Sequence, residues 1–277
     1  LQDAACMQRP FLTMKGGDET MFGEAYQSVC NAAKNKLNLL EKNPLGYWMA
    51  SILAGLYIAL GCMIMGIMGG YFTAGGSSAT KLVCGIVFSA GLCFVIMAGA
   101  ELFTGNNVVI GCAVLKKEMS WGKAAKVWVV CYLGNLIGSV IGGVLFTLTG
   151  LTDGGDVGTF LMNAAVAKTT GEPVQLLAKA ILCNICVCLA VWCSIKMKTE
   201  SGKIALAFCG VTLFVTCGFE HSVANMTFFT LGLLNPGGAV VSIGGILYNL
   251  LIVTIGNMAG GILCVALPYY LISKEKQ

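Results

Sequence analysis

Charge is what this chain has least of. Among its 277 residues there are 17 Lys or Arg and 13 Asp or Glu, 11% of the total, where a soluble domain carries about 25%. It has five prolines and a single histidine. The scarcity is concentrated. No charged side chain occurs in the 52 residues from Ser222 to Ser273, nor in the 26 from Val127 to Thr152. A crossing of the hydrocarbon layer needs about 20 predominantly apolar residues. Runs of this length exclude a soluble enzyme, a nucleic-acid binder and a secreted domain. The net charge of +4 does not alter that, because the lysines flank apolar runs instead of forming one basic stripe. What is present in abundance is hydrophobic side chain, 57% of residues, with a mean hydropathy of +0.81. The composition is that of a polytopic helical membrane protein.

Fourteen cysteines are present, most of them inside apolar stretches, where a thiol behaves as a small hydrophobe. Their spacing suggests no disulfide framework. Cys183, Cys186 and Cys188 share one helix but lack a histidine or a fourth ligand, so they are read as packing residues, and no metal or cofactor is expected.

Six apolar segments, roughly 45–72, 82–113, 127–150, 174–195, 203–234 and 244–272, predict six spans. The second and fifth are unusually long, and each is interrupted by an acidic residue. Lys and Arg are enriched in cytoplasmic loops. An inside N-terminus puts fourteen of the seventeen basic residues in the cytoplasm and leaves only Lys81, Lys168 and Lys179 outside, so both termini are expected to be cytoplasmic. Residues 1–20 lack an apolar run and read as a tag or tail. From 21 to 43, Phe22, Tyr26, Val29, Ala33, Leu37 and Leu40 recur at helical spacing. This amphipathic helix is expected either on the cytoplasmic membrane surface or against a neighbouring subunit. Residues 44–277 form the six-span domain, with halves 44–150 and 151–277.

The halves are related. Gly99, Glu101 and Asn106 align with Gly218, Glu220 and Asn225 at a constant separation of 119 residues. Gly134-Asn135-Leu136-Ile137-Gly138 likewise aligns with Gly256-Asn257-Met258-Ala259-Gly260. Each half has three spans, an odd number, so the repeat is inverted. Interruptions at matching places in two inverted halves point to a substrate path near the midplane. Carboxylates at membrane depth are costly. Glu101 and Glu220 are expected either to clamp backbone amides freed at the breaks or to meet the permeant. Asn106 and Asn225 are read as amide braces. His221 is the only histidine, it stands at a break, and its repeat mate is Leu102. Its ring can donate to an anion or exchange a proton near physiological pH.

Two stretches, Ala98-Gly99-Ala100-Glu101-Leu102-Phe103-Thr104 and Gly218-Phe219-Glu220-His221-Ser222-Val223-Ala224-Asn225-Met226, together with Lys42-Asn43-Pro44-Leu45-Gly46, resemble signatures of the formate/nitrite transporter family. The cysteine-rich chain most resembles its bacterial hydrosulfide channel branch. The resemblance implies an all-α, aquaporin-like six-span protomer with broken second and fifth spans. It further implies a homopentamer in the bacterial inner membrane, with one pore per subunit passing hydrosulfide, formate or nitrite. By the same resemblance, Phe88, Leu92, Leu102, Val187 and Phe214 are expected to form apolar constrictions around His221, with Thr104 opposite the histidine and Asn184 near it. Lys168 is expected in the outer vestibule and Lys36 as a cytoplasmic-side cation. Two rivals find less in the residues. An aquaporin-type neutral-solute channel would present Asn-Pro-Ala at its breaks, and neither break has it. A membrane enzyme using Glu220 and His221 lacks a nucleophile or metal set.

Overall fold

The computed structural model describes residues 22–234 and 240–274, and all regular structure among them is helical. The reading of residues 1–20 lies outside this range. The helices are α1 (Gly23–Lys42), α2 (Pro44–Ala74), α3 (Thr80–Ala98), α4 (Phe103–Leu115), α5 (Trp121–Leu148) and α6 (Gly155–Thr169). They continue as α7 (Pro173–Lys196), α8 (Glu200–Thr216), α9 (Ser222–Leu234), α10 (Ile243–Gly261) and α11 (Leu267–Ser273). A π-helical turn, Ile262–Ala266, joins the last two, just before Pro268 removes a backbone donor. Local chemistry sets the starts. Asn43 accepts the Gly46 amide with Pro44 in the first turn of α2, and Ser120, Thr199 and Ser242 cap α5, α8 and α10 in the same way.

Five helices are long and apolar enough to cross a membrane: α2, α3, α5, α7 and the continuous Ile243–Ser273. Large apolar side chains such as Leu60, Leu145, Leu247 and Leu251 stand exposed on their outer faces. Such faces suit lipid or another subunit. The segment 82–113 is not one helix but two, α3 and α4, and 203–234 likewise divides into α8 and α9. Gly99 and Gly218 sit at these divisions with φ of 78° and 71°, backbone that L-side chains rarely adopt. The short α4 and α9 show no amphipathic stripe because nearly every residue in them is buried, the polar ones included. Around them, α2 packs on α5 and α7 on α10, while α3 and α8 pack on each other across the halves.

Close helix contact in both outer pairs depends on the repeated glycines. A Cβ on Gly138 would stand 1.9 Å from the Ile52 carbonyl oxygen, and one on Gly260 would stand 2.3 Å from that of Ile181. Two expectations need correction. The apolar stripe of α1 is buried within its own protomer, against α4 above all, so neither lipid nor a neighbour is needed to cover it. The connection after α5 contains a further helix, α6, which the hydropathy pattern did not mark. α1, which precedes 44–150, and α6, within 151–277, each deliver a lysine to matching places.

Candidate functional site

Each division is held by the same set of side chains. In the first half, the Asn135 Oδ1 accepts the Phe103 amide at 2.8 Å, and its Nδ2 donates to the carbonyls of Ser51 and Glu101 at 2.7 and 2.8 Å. In the second, Asn257 Oδ1 accepts the Ser222 amide at 2.9 Å and donates to the carbonyls of Ala180 and Glu220 at 2.8 and 3.0 Å. These are buried asparagines using their donors and acceptor where a helix start leaves amides free.

Of the two roles expected of the carboxylates, the hydrogen bonds bear on the first. Glu101 and Glu220 do not take the freed amides. Lys36 Nζ lies 2.8 and 2.9 Å from the two oxygens of Glu101, and Lys168 Nζ lies 3.0 and 2.9 Å from those of Glu220. Asn106 and Asn225 donate to the same carboxylates at 2.9 and 2.7 Å. Each buried charge is therefore paired and hydrogen-bonded, which is the condition for keeping it in an apolar interior. Lys168, expected in the outer vestibule, and Lys36, expected as a cytoplasmic-side cation, are each ion-paired. The sequence showed Asn135 and Asn257 as a repeated motif but gave no sign of what they hold; their function depends on which carbonyls α2 and α7 bring near.

The halves meet at His221. Its Nε2 lies 3.0 Å from the Thr104 hydroxyl, while its Nδ1 accepts the Ala224 amide at 3.1 Å. A ring nitrogen that accepts carries no proton, so this hydrogen-bond pattern assigns the proton to Nε2, donating to Thr104. Phe214 stacks on the imidazole with centroids 5.7 Å apart, and Phe88 meets Phe214 edge-on at 6.1 Å. All of these side chains are buried. Asn184, expected near the histidine, donates to the carbonyls of Thr104 and Asn257 at 3.3 and 2.5 Å, so it supports the backbone beside the ring.

Two cavities approach this point from opposite sides. One of about 530 Å³ is lined by Lys36, Glu101, Leu92, Leu102, Glu200 and Lys203 among others. The second, about 380 Å³, is lined by Lys168, Glu220, His221, Phe88, Phe214 and residues around them. They share no lining residue. Phe88 and Leu92, one turn apart on α3, face different cavities. Thr104 lines neither, yet lies between Leu102 of one lining and His221 of the other. Val187, buried, stands one turn before Val191 of the first lining. No group of three or more metal-ligating side chains occurs among the described residues.

Fold and site together define a multi-pass helical membrane protein in which a repeated polar framework carries two opposed cavities up to a histidine–threonine contact. Residues 23–271 match the formate/nitrite transporter family, and the chain belongs to it. It is 34% identical over 250 residues to the nitrite transporter NirC of Escherichia coli, covering 90% of this chain and 92% of that one. A solved structure described as an FNT family ion channel superposes with a TM-score of 0.85 at 32% identity, over 91% of this chain and 99% of the other. Another, a pentameric formate channel with formate bound, gives 0.70 at 29% identity, over 84% and 98%.

Proposed function

We propose that the protein is a channel that passively conducts a small monovalent anion along the line joining the two cavities, crossing at Thr104 and His221. On this reading α3–α4 and α8–α9 are two broken crossings, making six in all. The repeat is inverted, as in aquaporins, and the assembly is a homopentamer with a pore in each subunit, in the bacterial inner membrane with both termini cytoplasmic. The observation that carries the reading is the contact between the starts of α4 and α9. Thr104 is the second residue of α4, and His221 immediately precedes α9. Two helix N-termini therefore converge on one buried point, and each carries about half a positive elementary charge. A membrane interior with that polarity favours an anion.

A bare anion in apolar surroundings costs on the order of tens of kcal/mol, so the short passage between Leu92, Leu102, Val187, Phe88 and Phe214 needs help. Thr104 supplies a hydroxyl hydrogen once its oxygen accepts from His221, and that hydrogen is available to the permeant. Proton transfer offers a second route, in which the anion crosses as its neutral acid. Each pKa unit below ambient pH costs about 1.4 kcal/mol. Hydrosulfide, whose acid titrates near neutral, crosses this way at little cost, while formate needs roughly 4 kcal/mol. This favours hydrosulfide as permeant. Formate or nitrite is the second reading, favoured by what the related proteins are named for transporting.

Parallel flux of the three anions into proteoliposomes over a pH series tests the substrate. For the histidine, His221→Asn is expected to change both the ranking of the anions and the pH dependence of flux. Wild-type ranking and pH profile in that variant would remove His221 from the mechanism.

A further inference from the structure

The two cavities are built by one repeat but differ in charge. In the first, Lys36 faces Glu101, and Lys203 shares the lining with a second carboxylate, Glu200, so the formal charges cancel. In the second, Lys168 and Glu220 cancel, but Lys81 and Lys179 also line the cavity and no further carboxylate does. Neither lysine makes an ion pair among the described residues. The nearby acids do not offset them within the lining: Glu172 is outside it, and Asp156 lines a separate pocket of about 320 Å³.

The repeat shows that this difference sits at equivalent places. Lys81 and Glu200 are related by the same 119-residue separation as Glu101 and Glu220, so a cation in one half stands where the other has a carboxylate. The Glu220 amide donates to the Lys179 carbonyl as the Glu101 amide donates to that of Ala50. Lys179 therefore occupies the position that Ala50 holds in the first half, with its backbone joined to the residue beside His221.

We propose that Lys81 and Lys179 gather anions in the histidine-side cavity, where their unbalanced formal charge of +2 has no counterpart in the α1-side cavity and makes conduction rectify. The inference rests on the anion-channel reading and adds a direction to it. Two exposed charges about 10 Å from a permeant enrich it roughly twofold at low ionic strength, and the enrichment disappears when the screening length falls to about 3 Å near 1 M salt.

The test is single-channel recording of the full chain in planar bilayers, with the same nitrite or formate solution on both sides, at about 10 mM and about 1 M. Because each inserted channel is compared with itself, its orientation need not be known. At low salt the wild type is expected to pass about twofold different currents at equal and opposite voltages. Lys81→Gln with Lys179→Gln brings the ratio close to one, and Lys81→Arg with Lys179→Arg keeps it. At 1 M all three are expected to give the same nearly symmetric conductance. A symmetric wild type at low salt overturns the proposal while leaving an anion pathway intact, and so does unchanged rectification in the glutamine variant. A glutamine variant with reduced conductance at 1 M also overturns it, since the lysines would then be structural. Absence of current with nitrite, formate and hydrosulfide alike would instead remove the channel reading itself.

Discussion

Asn135 and Asn257 each satisfy three backbone groups, where a Ser or Asp cap satisfies one or two. Replacing either with Ala leaves a buried N–H, of Phe103 or Ser222, without its acceptor, at a cost of about 1–3 kcal/mol, and removes two further hydrogen bonds. Asn135→Ala and Asn257→Ala are each expected to lower the thermal unfolding midpoint in detergent by several degrees. Asn31→Ala, at an exposed position on α1, should stay within about 0.5 kcal/mol of wild type. Equal midpoints for all three would show that the asparagines do not hold the breaks. These residues also mark how far the sequence could be read. The Gly-Asn repeat was visible, as were the two glutamates, because carboxylates in apolar runs stand out. The lysine partners were not, because Lys36 is 65 positions from Glu101 and Lys168 is 52 from Glu220, and no local period connects them.

The helix pairs impose their own limits. An Ala methyl at position 138 would meet both the carbonyl of Ile52 and, at 2.7 Å, the amide of Leu56. Neither is a flexible side chain that could rotate away, so α2 and α5 must separate. Gly138→Ala is expected to cost at least about 1–3 kcal/mol and to reduce the yield of monodisperse protein on size exclusion. Gly122→Ala, on the same helix with nothing within 4 Å, should be neutral or mildly stabilising. A similar yield from both variants would count against backbone contact as the reason for the glycine. The docking of α1 depends on Glu118 in the turn after α4, which reaches Lys34 at 2.9 Å and Lys116 at 3.3 Å. Burial alone would raise its pKa, but the two ammonium groups outweigh that and hold the carboxyl below the ordinary range. With the folded value below the unfolded one, the stabilisation is present above the usual carboxylate pKa of about 4 and is lost as pH falls through and below it. The protection of α1 amides, taken as the intrinsic exchange rate at each pH over the observed rate, should therefore fall on acidification, and Glu118→Gln should flatten that response. An unaltered pH profile in the variant would exclude Glu118 as the group responsible. The periodicity of α1 was legible in the sequence, but its covering surface was not, since an apolar stripe fits lipid, a neighbour or its own bundle equally well.

Membrane residence, the positions of the apolar segments, their pairing as two related halves and the family are all legible in the residues alone. Each of these follows from composition or from spacing along the chain, because a hydrocarbon layer selects for apolar length and a duplicated half repeats its glycines, asparagines and carboxylates in order. What those residues do to one another depends on how the helices pack. That packing paired Lys36 and Lys168 with Glu101 and Glu220 at the cavity walls and gave the freed amides to Asn135 and Asn257. It set Thr104 against His221 across 117 positions and distributed five lysines between two cavities with unequal balance. The physical reason is the same in each case. A charge or donor buried in an apolar interior must find its partner in space, and that partner is fixed by how the helices pack rather than by distance along the chain.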